Sequence, residues 1–223
     1  AINVAENATA VTTVGATDAD AGSTITYSLN GGADVAFFTL TGTTLTFTAS
    51  RDFENPADAG TNNTYEVVVR ASDGANDTDQ TVTVTITDVN ESAPVIGIAT
   101  GALTAVDENV AIGTSVEGAP FTATDADTAN TITYTLTGTD AAAFAINETT
   151  GAVTWAVSPD FETKNSYSFN VVATDNGIGT LADTNAYTIA INDLNDNSPV
   201  FTSAAAINVA ENATAVTTVG ATD

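Results

Sequence analysis

Apolar positions along this chain recur with a period of two. "TITYSL" (24–29), "TLTFTA" (44–49), "YEVVVRA" (65–71) and "TVTVTIT" (81–87) alternate an apolar residue with threonine or another small or polar one. A second set follows roughly a domain's length later as "TITYTL", "AVTWAV", "YSFNVVA" and "AYTIAI". Such alternation, rich in β-branched residues and punctuated by Gly, Asn and Asp, predicts half-buried antiparallel strands. No window carries the 3.6-residue period of a helix. With "INVA", "AVTTVGA" and "AFFTL" added, each unit reads as about seven strands, the size of an immunoglobulin-like sandwich. The chain has no cysteine and no tryptophan in the third strand of either unit, which argues against an antibody-type domain.

The units themselves repeat. "AEN" around Glu6 matches "DEN" around Glu108, "TDAD" at Asp18 matches Asp125, and "DFE" at Asp52 matches Asp160. "ASDG" at Asp73 matches "ATDN" at Asp175, and "DVNESAPV" at Asp88 matches "DLNDNSPV" at Asp193. The offsets run from 102 to 108 residues, a domain array rather than a solenoid, whose repeats span about 20–50 residues. The first eighteen residues, "AINVAENATAVTTVGATD", also recur letter for letter at 206–223. The reading that follows is repeat one at 1–93, repeat two at 94–198 and the first two strands of a third at 199–223. Identity at a spacing of 205 residues, against looser similarity at half that spacing, implies a parent built from near-identical two-domain pairs. Alone, the last segment cannot bury a core, so it is expected to order only against a neighbouring chain or the rest of its own domain.

Charge changes the picture most. Of 223 residues, 28 are acidic and three basic, a formal net charge of −25, yet 43% are hydrophobic. Such a surface repels nucleic acid and anionic lipid and attracts cations. Divalent metal would neutralise it; adaptation to high salt is the blander account. Without Cys or His, disulfides, thiol catalysis, a Cys- or His-based zinc site and the usual general base are excluded. No apolar run is long enough to span a membrane, and the first residues lack a signal-peptide pattern, so any targeting signal is expected outside this segment.

Strand parity gathers the acids. If successive strands run antiparallel, each strand crossed carries the chain to the opposite end of the sandwich. Glu6, Asp52, Glu54, Asp88 and Glu91 then share an exit pole, and Asp18, Asp20 and Asp73 share the opposite, receiving pole. Stacked end to end, the first exit pole meets Asp125, Asp127 and Asp175 of the second unit. Eight carboxylates in one seam would repel by about 1 kcal/mol per close pair in water and about 4 at an effective dielectric of 20. Calcium, which takes six to eight oxygens in irregular geometry, suits such a seam better than magnesium.

These motifs, in this order and twice over, resemble cadherin repeats, and among them the cadherin-like repeats of large bacterial surface proteins. "DLNDNSPVF" is similar to the family's linker motif D-x-N-D-N-x-P-x-F, and the resemblance covers the whole chain. It implies tandem seven-stranded Greek-key sandwiches joined end to end by calcium-binding linkers, with about three Ca²⁺ per complete linker. It further implies bridging by Glu6, Glu54 and Glu91, carbonyl ligation at Val89 and Ser92, and side-chain ligation by Asn90. The second linker has the corresponding set Glu108, Asp160, Glu162, Asp193, Leu194, Asn195, Asp196 and Asn197. The third segment supplies Glu211 and, facing the second exit pole, Asp223 alone. That junction is therefore expected to hold fewer ions, or hold them more weakly. The first linker departs from the motif at Glu91 and Ser92, which keeps the charge and the carbonyl.

Blander readings hold elsewhere. Asp79, Asp140 and Asp183 read as solvated surface acids, Trp155 as core, and the N-x-S/T triplets at Asn7, Asn62, Asn76 and Asn147 as chance in a Thr- and Asn-rich chain. Paired carboxylates without an aromatic cleft do not make a glycosidase, so no enzyme is expected. The resemblance implies an extracellular, calcium-rigidified segment of an adhesin or surface filament, bacterial by the closer likeness. Its partners are adjacent repeats and identical chains end to end or side by side. A carbohydrate-binding module and a homophilic adhesion domain are the alternatives.

Overall fold

The alternating segments fold into the strands they predict. In the first repeat these are β1 (Ile2–Ala5), β2 (Ala10–Thr13), β3 (Thr26–Leu29), β4 (Phe38–Thr41), β5 (Thr44–Phe47), β6 (Thr64–Ser72) and β7 (Asp77–Thr87). They come from a computed structural model that describes residues 1–20, 22–116, 120–127 and 130–222. One sheet has the order β1-β7-β6-β3, the other β2-β5-β4. The inward-facing alternate residues, among them Leu45, Tyr65, Val67 and Val84, form a buried core. One pairing is parallel: β1 lies on β7 with Ile2 opposite Val84 and Ala5 opposite Thr87. In a chain of seven alternating strands the first and seventh point the same way. Laying them side by side therefore makes a parallel pair, and both deliver their ends to the exit pole.

The second repeat follows the same plan with β12 (Thr133–Thr137), β13 (Phe144–Ile146), β14 (Val153–Trp155), β15 (Ser166–Thr174) and β16 (Ala182–Asn192). Its leading segment is broken into three two-residue strands, β8 (Val95–Ile96), β9 (Gly101–Ala102) and β10 (Val106–Asp107). β8 pairs antiparallel with β11 (Ala123–Thr124), whereas β9 and β10 lie parallel on β16. The chain thus crosses from one sheet to the other, and Gly101 at φ +138° supplies a bend that a side chain would strain. Trp155 is 1% exposed, stacked at an angle on Phe144 with centroids 4.7 Å apart and edge-on to Tyr167 at 5.3 Å. It is a core residue.

The three acids read as solvated surface are each engaged as well, Asp79 while remaining exposed. Asp79 pairs with Arg70 at 2.7 Å and accepts from Asn30. Asp140 pairs with Lys164 and accepts the Ser168 N–H at 2.8 Å. Asp183 accepts the Ile96 N–H at 3.0 Å and so ties β8 to the sheet. Two further carboxylates are buried with no basic partner among the described residues. Asp34 accepts from the N–H groups of Ala59 and Glu66, and Asp58 from those of Gly60, Asn62 and Asn63. Backbone donors satisfy them at turns, where strand ends leave N–H groups free.

Identical sequence does not give identical structure. Residues 1–13 form β1 and β2, but their copy at 206–218 forms no strand. Val4 is 6% exposed and Val209 42%, because β1 exists by pairing with β7 and the copy has no such partner. The local turn survives the loss: Asn7 and Asn212 share the left-handed conformation, with φ 62° and 64°. Among the described residues of the last segment the pairing is β17 (Val200–Phe201) on β18 (Ala221–Thr222), and its apolar side chains stand exposed.

Candidate metal centre

Glu6 follows β1 directly and is buried. One of its carboxylate oxygens accepts the Phe53 N–H and the other the Val89 N–H, both at 2.8 Å. A single side chain therefore holds the Asp52–Glu54 loop and the linker to one pole. Glu108 repeats the device, accepting from Phe161 at 2.8 Å and Leu194 at 2.7 Å. The asparagine after each glutamate completes it. Asn7 donates its backbone N–H to Arg51 and its amide to Glu91. Asn109, at φ 62°, donates its N–H to Pro159 and its amide to Asp196 at 2.5 Å. Sequence reasoning missed both residues, although their signal, "EN" at the end of the first strand of each unit, was present.

The second repeat closes the seam from the other side. Asp127 is 1% exposed and accepts the N–H groups of Glu91 at 3.1 Å and Ser92 at 2.9 Å. Asp125 accepts the Asp127 N–H at 3.1 Å. Asp175, 3% exposed, accepts from Gly177, Leu181 and the Asn90 amide nitrogen. The Asn90 oxygen is taken by the Asn130 amide at 2.7 Å. Asn90 thus faces Asp175 with its nitrogen in this arrangement, and the side-chain ligation implied by the resemblance requires the opposite face of the amide.

Two acidic groups meet at this seam, Glu6–Glu54–Glu91 and Glu54–Asp88–Asp127, each with one oxygen per residue within 4.8 Å of the others. Asp88 Oδ1, Asp125 Oδ2 and Asp127 Oδ1 are buried and have no hydrogen-bond partner. Buried polar atoms are nearly always satisfied; three orphaned anionic oxygens converging from two repeats fit a hard cation of oxygen-only coordination. Loss of water, and after it repulsion between carboxylates, is visible in the acidity of Asp88, Glu91 and Glu54. Desolvation, then the charges of Asp127, Glu6 and Asp125, pushes Asp88 upward. Desolvation, then Glu6, raises Glu91. Glu54 rises to about 7, by desolvation first and then by Glu6, Asp88 and Asp127.

A pH dependence follows, with its sign. Between about 4.5 and 7 the folded, metal-free protein binds more protons at Glu54 than the unfolded chain does, so stability falls as pH rises through this window. The metal-free protein is expected to melt higher as pH drops from about 7 toward 4.5. With a divalent cation bound the trend reverses, because protons compete for the ligands. Thermal melts across this range with and without chelator check both slopes.

Other sequence-predicted residues are distributed unevenly. Asp52 is exposed, accepts the Asn55 N–H at 3.0 Å, and lies outside both clusters. In the second linker Glu108, Asp160 and Glu162 form one group, and Glu162, Asp193, Leu194, Asn195 and Asn197 border a void of about 680 Å³. Asp18, Asp20 and Asp73 come together, lining a cavity of about 310 Å³ at the opposite pole of the first repeat. There the Asn76 and Ala75 N–H groups hold Asp73 down to about 2. Glu211 stands exposed and joins no acidic group found among the described residues. Asp223 lies outside the described residues.

Fold and site together define a class: tandem antiparallel sandwiches whose carboxylates collect at the seams between units. The cadherin-domain family model matches residues 1–87 and 103–192; the chain belongs to the cadherin family. It is 34% identical over 194 residues to Cadherin EGF LAG seven-pass G-type receptor 2 of mouse and of human. It is 32% identical to the Drosophila protocadherin-like wing polarity protein stan. These matches cover 86–87% of this chain but only 6% of each relative. Among solved structures, mouse Cadherin-23 EC22-24 superposes with a TM-score of 0.80 at 29% identity, covering all of this chain and 74% of that one. The EC3-6 cis-dimer structure of protocadherin gammaB7 gives 0.76 at 28%, covering all of this chain and 53% of that one. These relatives are animal cadherins, and they lend no support to the narrower likeness to bacterial surface proteins.

Proposed function

We propose that this chain is an extracellular adhesive or structural segment in which calcium at the seams stiffens successive cadherin repeats. The units are 1–93, 94–198 and the start of a third at 199–223. The observation that carries the reading is the set of orphaned carboxylate oxygens of Asp88, Asp125 and Asp127, contributed from both sides of one seam. The ligand set is Glu6, Asp52, Glu54, Asp88, Glu91, Asp125, Asp127 and Asp175, with Asn90 and the Val89 and Ser92 carbonyls, for about three ions. The second linker offers Glu108, Asp160, Glu162, Asp193, Asn195 and Asp196.

Bound calcium supplies positive charge where the protein has almost none. The protein's own part is positional. Glu6 and Glu108 fasten each linker to its repeat, Asn7 and Asn109 aim the linker acids, and Asp127 captures the Glu91 and Ser92 N–H groups of the preceding unit. Cation binding to the native state stabilises it by about 2.7 kcal/mol per site at a hundredfold excess over Kd. The role is mechanical rather than catalytic. A carbohydrate-binding reading wants an exposed aromatic platform; among the described residues Phe201 is the one aromatic in the set of exposed large apolar side chains.

Small-angle scattering and thermal melts with calcium and with chelator test the proposal. Calcium is expected to lengthen the maximum dimension, narrow its distribution and raise the melting temperature. Identical scattering and identical melting in both conditions would overturn it.

A further inference from the structure

Asn90, half-buried in the first linker, turns its amide to the second repeat. Its nitrogen donates to Asp175 Oδ1 at 3.1 Å and to the Ile178 carbonyl at 3.3 Å, and its oxygen accepts from the Asn130 amide at 2.7 Å. Both neighbours of the nitrogen are acceptors, which fixes the end of the amide that faces them. Gly177 forms the floor of this seat. A methyl group at this position would place its carbon 2.6 Å from Asn90 Nδ2 and 2.7 Å from Asn90 Cβ, with Cγ nearer still. Carbon contacts are comfortable only at about 3.5–4.0 Å. Among the described glycines, Gly177 is the one whose close neighbour belongs to the other repeat.

The backbone does not demand glycine here. Gly177 lies outside the left-handed region, unlike Gly179 at φ +98° two residues on. The corresponding loop of the first repeat, 73–76, carries Ala75 at the second place after its motif aspartate. Alanine would also keep the two backbone bonds of Gly177, its N–H to Asp175 at 3.0 Å and its carbonyl to the Thr180 N–H at 3.1 Å. What alanine would not keep is the spacing between the repeats. A half-turn of the Asn90 amide exchanges its nitrogen and oxygen but leaves Cβ and Cγ in place. The need for an absent side chain is therefore the same whichever end of the amide faces the second repeat.

We propose that Gly177 and Asn90 form a metal-independent latch between the repeats. The missing side chain at 177 sets how closely the second repeat approaches the linker, and the Asn90 amide holds it there. Gly177 is a positioning residue that acts through Asn90, an instance of glycine admitting a close approach of backbone to another group. Asparagine is the side chain that suits the seat. Aspartate would set a second carboxylate against Asp175, and glutamine carries one more methylene than the floor leaves room for. The latch is made by protein groups alone, so it stands apart from calcium at the same seam.

The chain has no cysteine, so exposed Thr39 and Thr149, one in each repeat, can be replaced by cysteine and spin-labelled. Double electron–electron resonance then reads the distance distribution between the repeats, in calcium and in chelator. Gly177→Ala is expected to shift the distribution to longer distances and broaden it in both buffers. Gly179→Ala strains the backbone but has open space around it; it should lower the melting temperature of the second repeat and leave the distribution unchanged. In an Asn90→Gly background Gly177→Ala should make no further difference, because the atoms it meets are gone. Both loop glycines lie outside the two cores, and the melting transition of the second repeat reports that it is folded. A Gly177→Ala distribution that matches the parent in chelator would overturn the proposal. So would an equal displacement by Gly179→Ala, or an undiminished effect of Gly177→Ala in the Asn90→Gly background. Failure of the calcium reading looks different: the parent then gives one distribution in both buffers, while Gly177→Ala still departs from it.

Discussion

Asp127→Asn is expected to lower the calcium affinity of the first linker by at least about tenfold, and to do the opposite to the metal-free protein. The side chain combines one buried, unpartnered oxygen with another that accepts the N–H groups of Glu91 and Ser92. Asparagine keeps the size and one acceptor but removes the charge. In calcium this weakens a carboxylate of the second repeat that both reaches the Glu54–Asp88 cluster and anchors the linker backbone. In chelator it removes one of the charges that raise Asp88, Glu54 and Glu91, so the seam repels less and the melting temperature rises. Titration calorimetry and paired melts read the two signs. A variant less stable than the parent in both conditions would mean that Asp127 acts through packing and not through charge.

Trp155→Ala should produce the largest loss of stability, about 3–5 kcal/mol, confined to one repeat. The indole is buried against Phe144 and Tyr167 in a core that shares no buried residue with the first. Its vacated volume cannot collapse, because neighbouring rings are held on β13 and β15, strands of different sheets. Differential scanning calorimetry in chelator is expected to show the transition of the second repeat moving to lower temperature while that of the first stays in place. In calcium the first should shift as well, since its seam ligands Asp127 and Asp175 then belong to a less stable partner.

Much of this architecture was legible because strand order and acid spacing are both one-dimensional signals. Counting strands was enough to place Glu6, Asp52–Glu54 and Asp88 at one pole and Asp125, Asp127 and Asp175 against them, since only parity mattered. What escaped was of two kinds. Two-residue strands such as β8, β9 and β10 are too short to carry a period, so the crossing of the leading segment between sheets left no pattern. Hydrogen bonds that join residues far apart in the chain were equally silent: Asn7 to Glu91, Asp183 to Ile96 and Asn130 to Asn90. Asp183 looked like any surface acid because its partner is a backbone N–H, which every residue except proline has. The limits of local reading are clearest in residues 1–13 and 206–218, where one sequence is two strands in one place and none in the other.

The parallel pairing of β1 with β7 determines how the first repeat answers tension. A pull along the array draws β1 back by its first residue and β7 forward by its last. Two neighbouring strands that point the same way are then loaded in shear, and the bonds between Ile2–Ala5 and Val84–Thr87 must yield together rather than open one after another. The second repeat divides the same duty between two short grips on β16, at Gly101–Ala102 and Val106–Asp107. Glu6, bonded to both the Phe53 and Val89 N–H groups, sits where the load passes from strand to linker. The rod is thus toughest along the line on which its neighbours would tug.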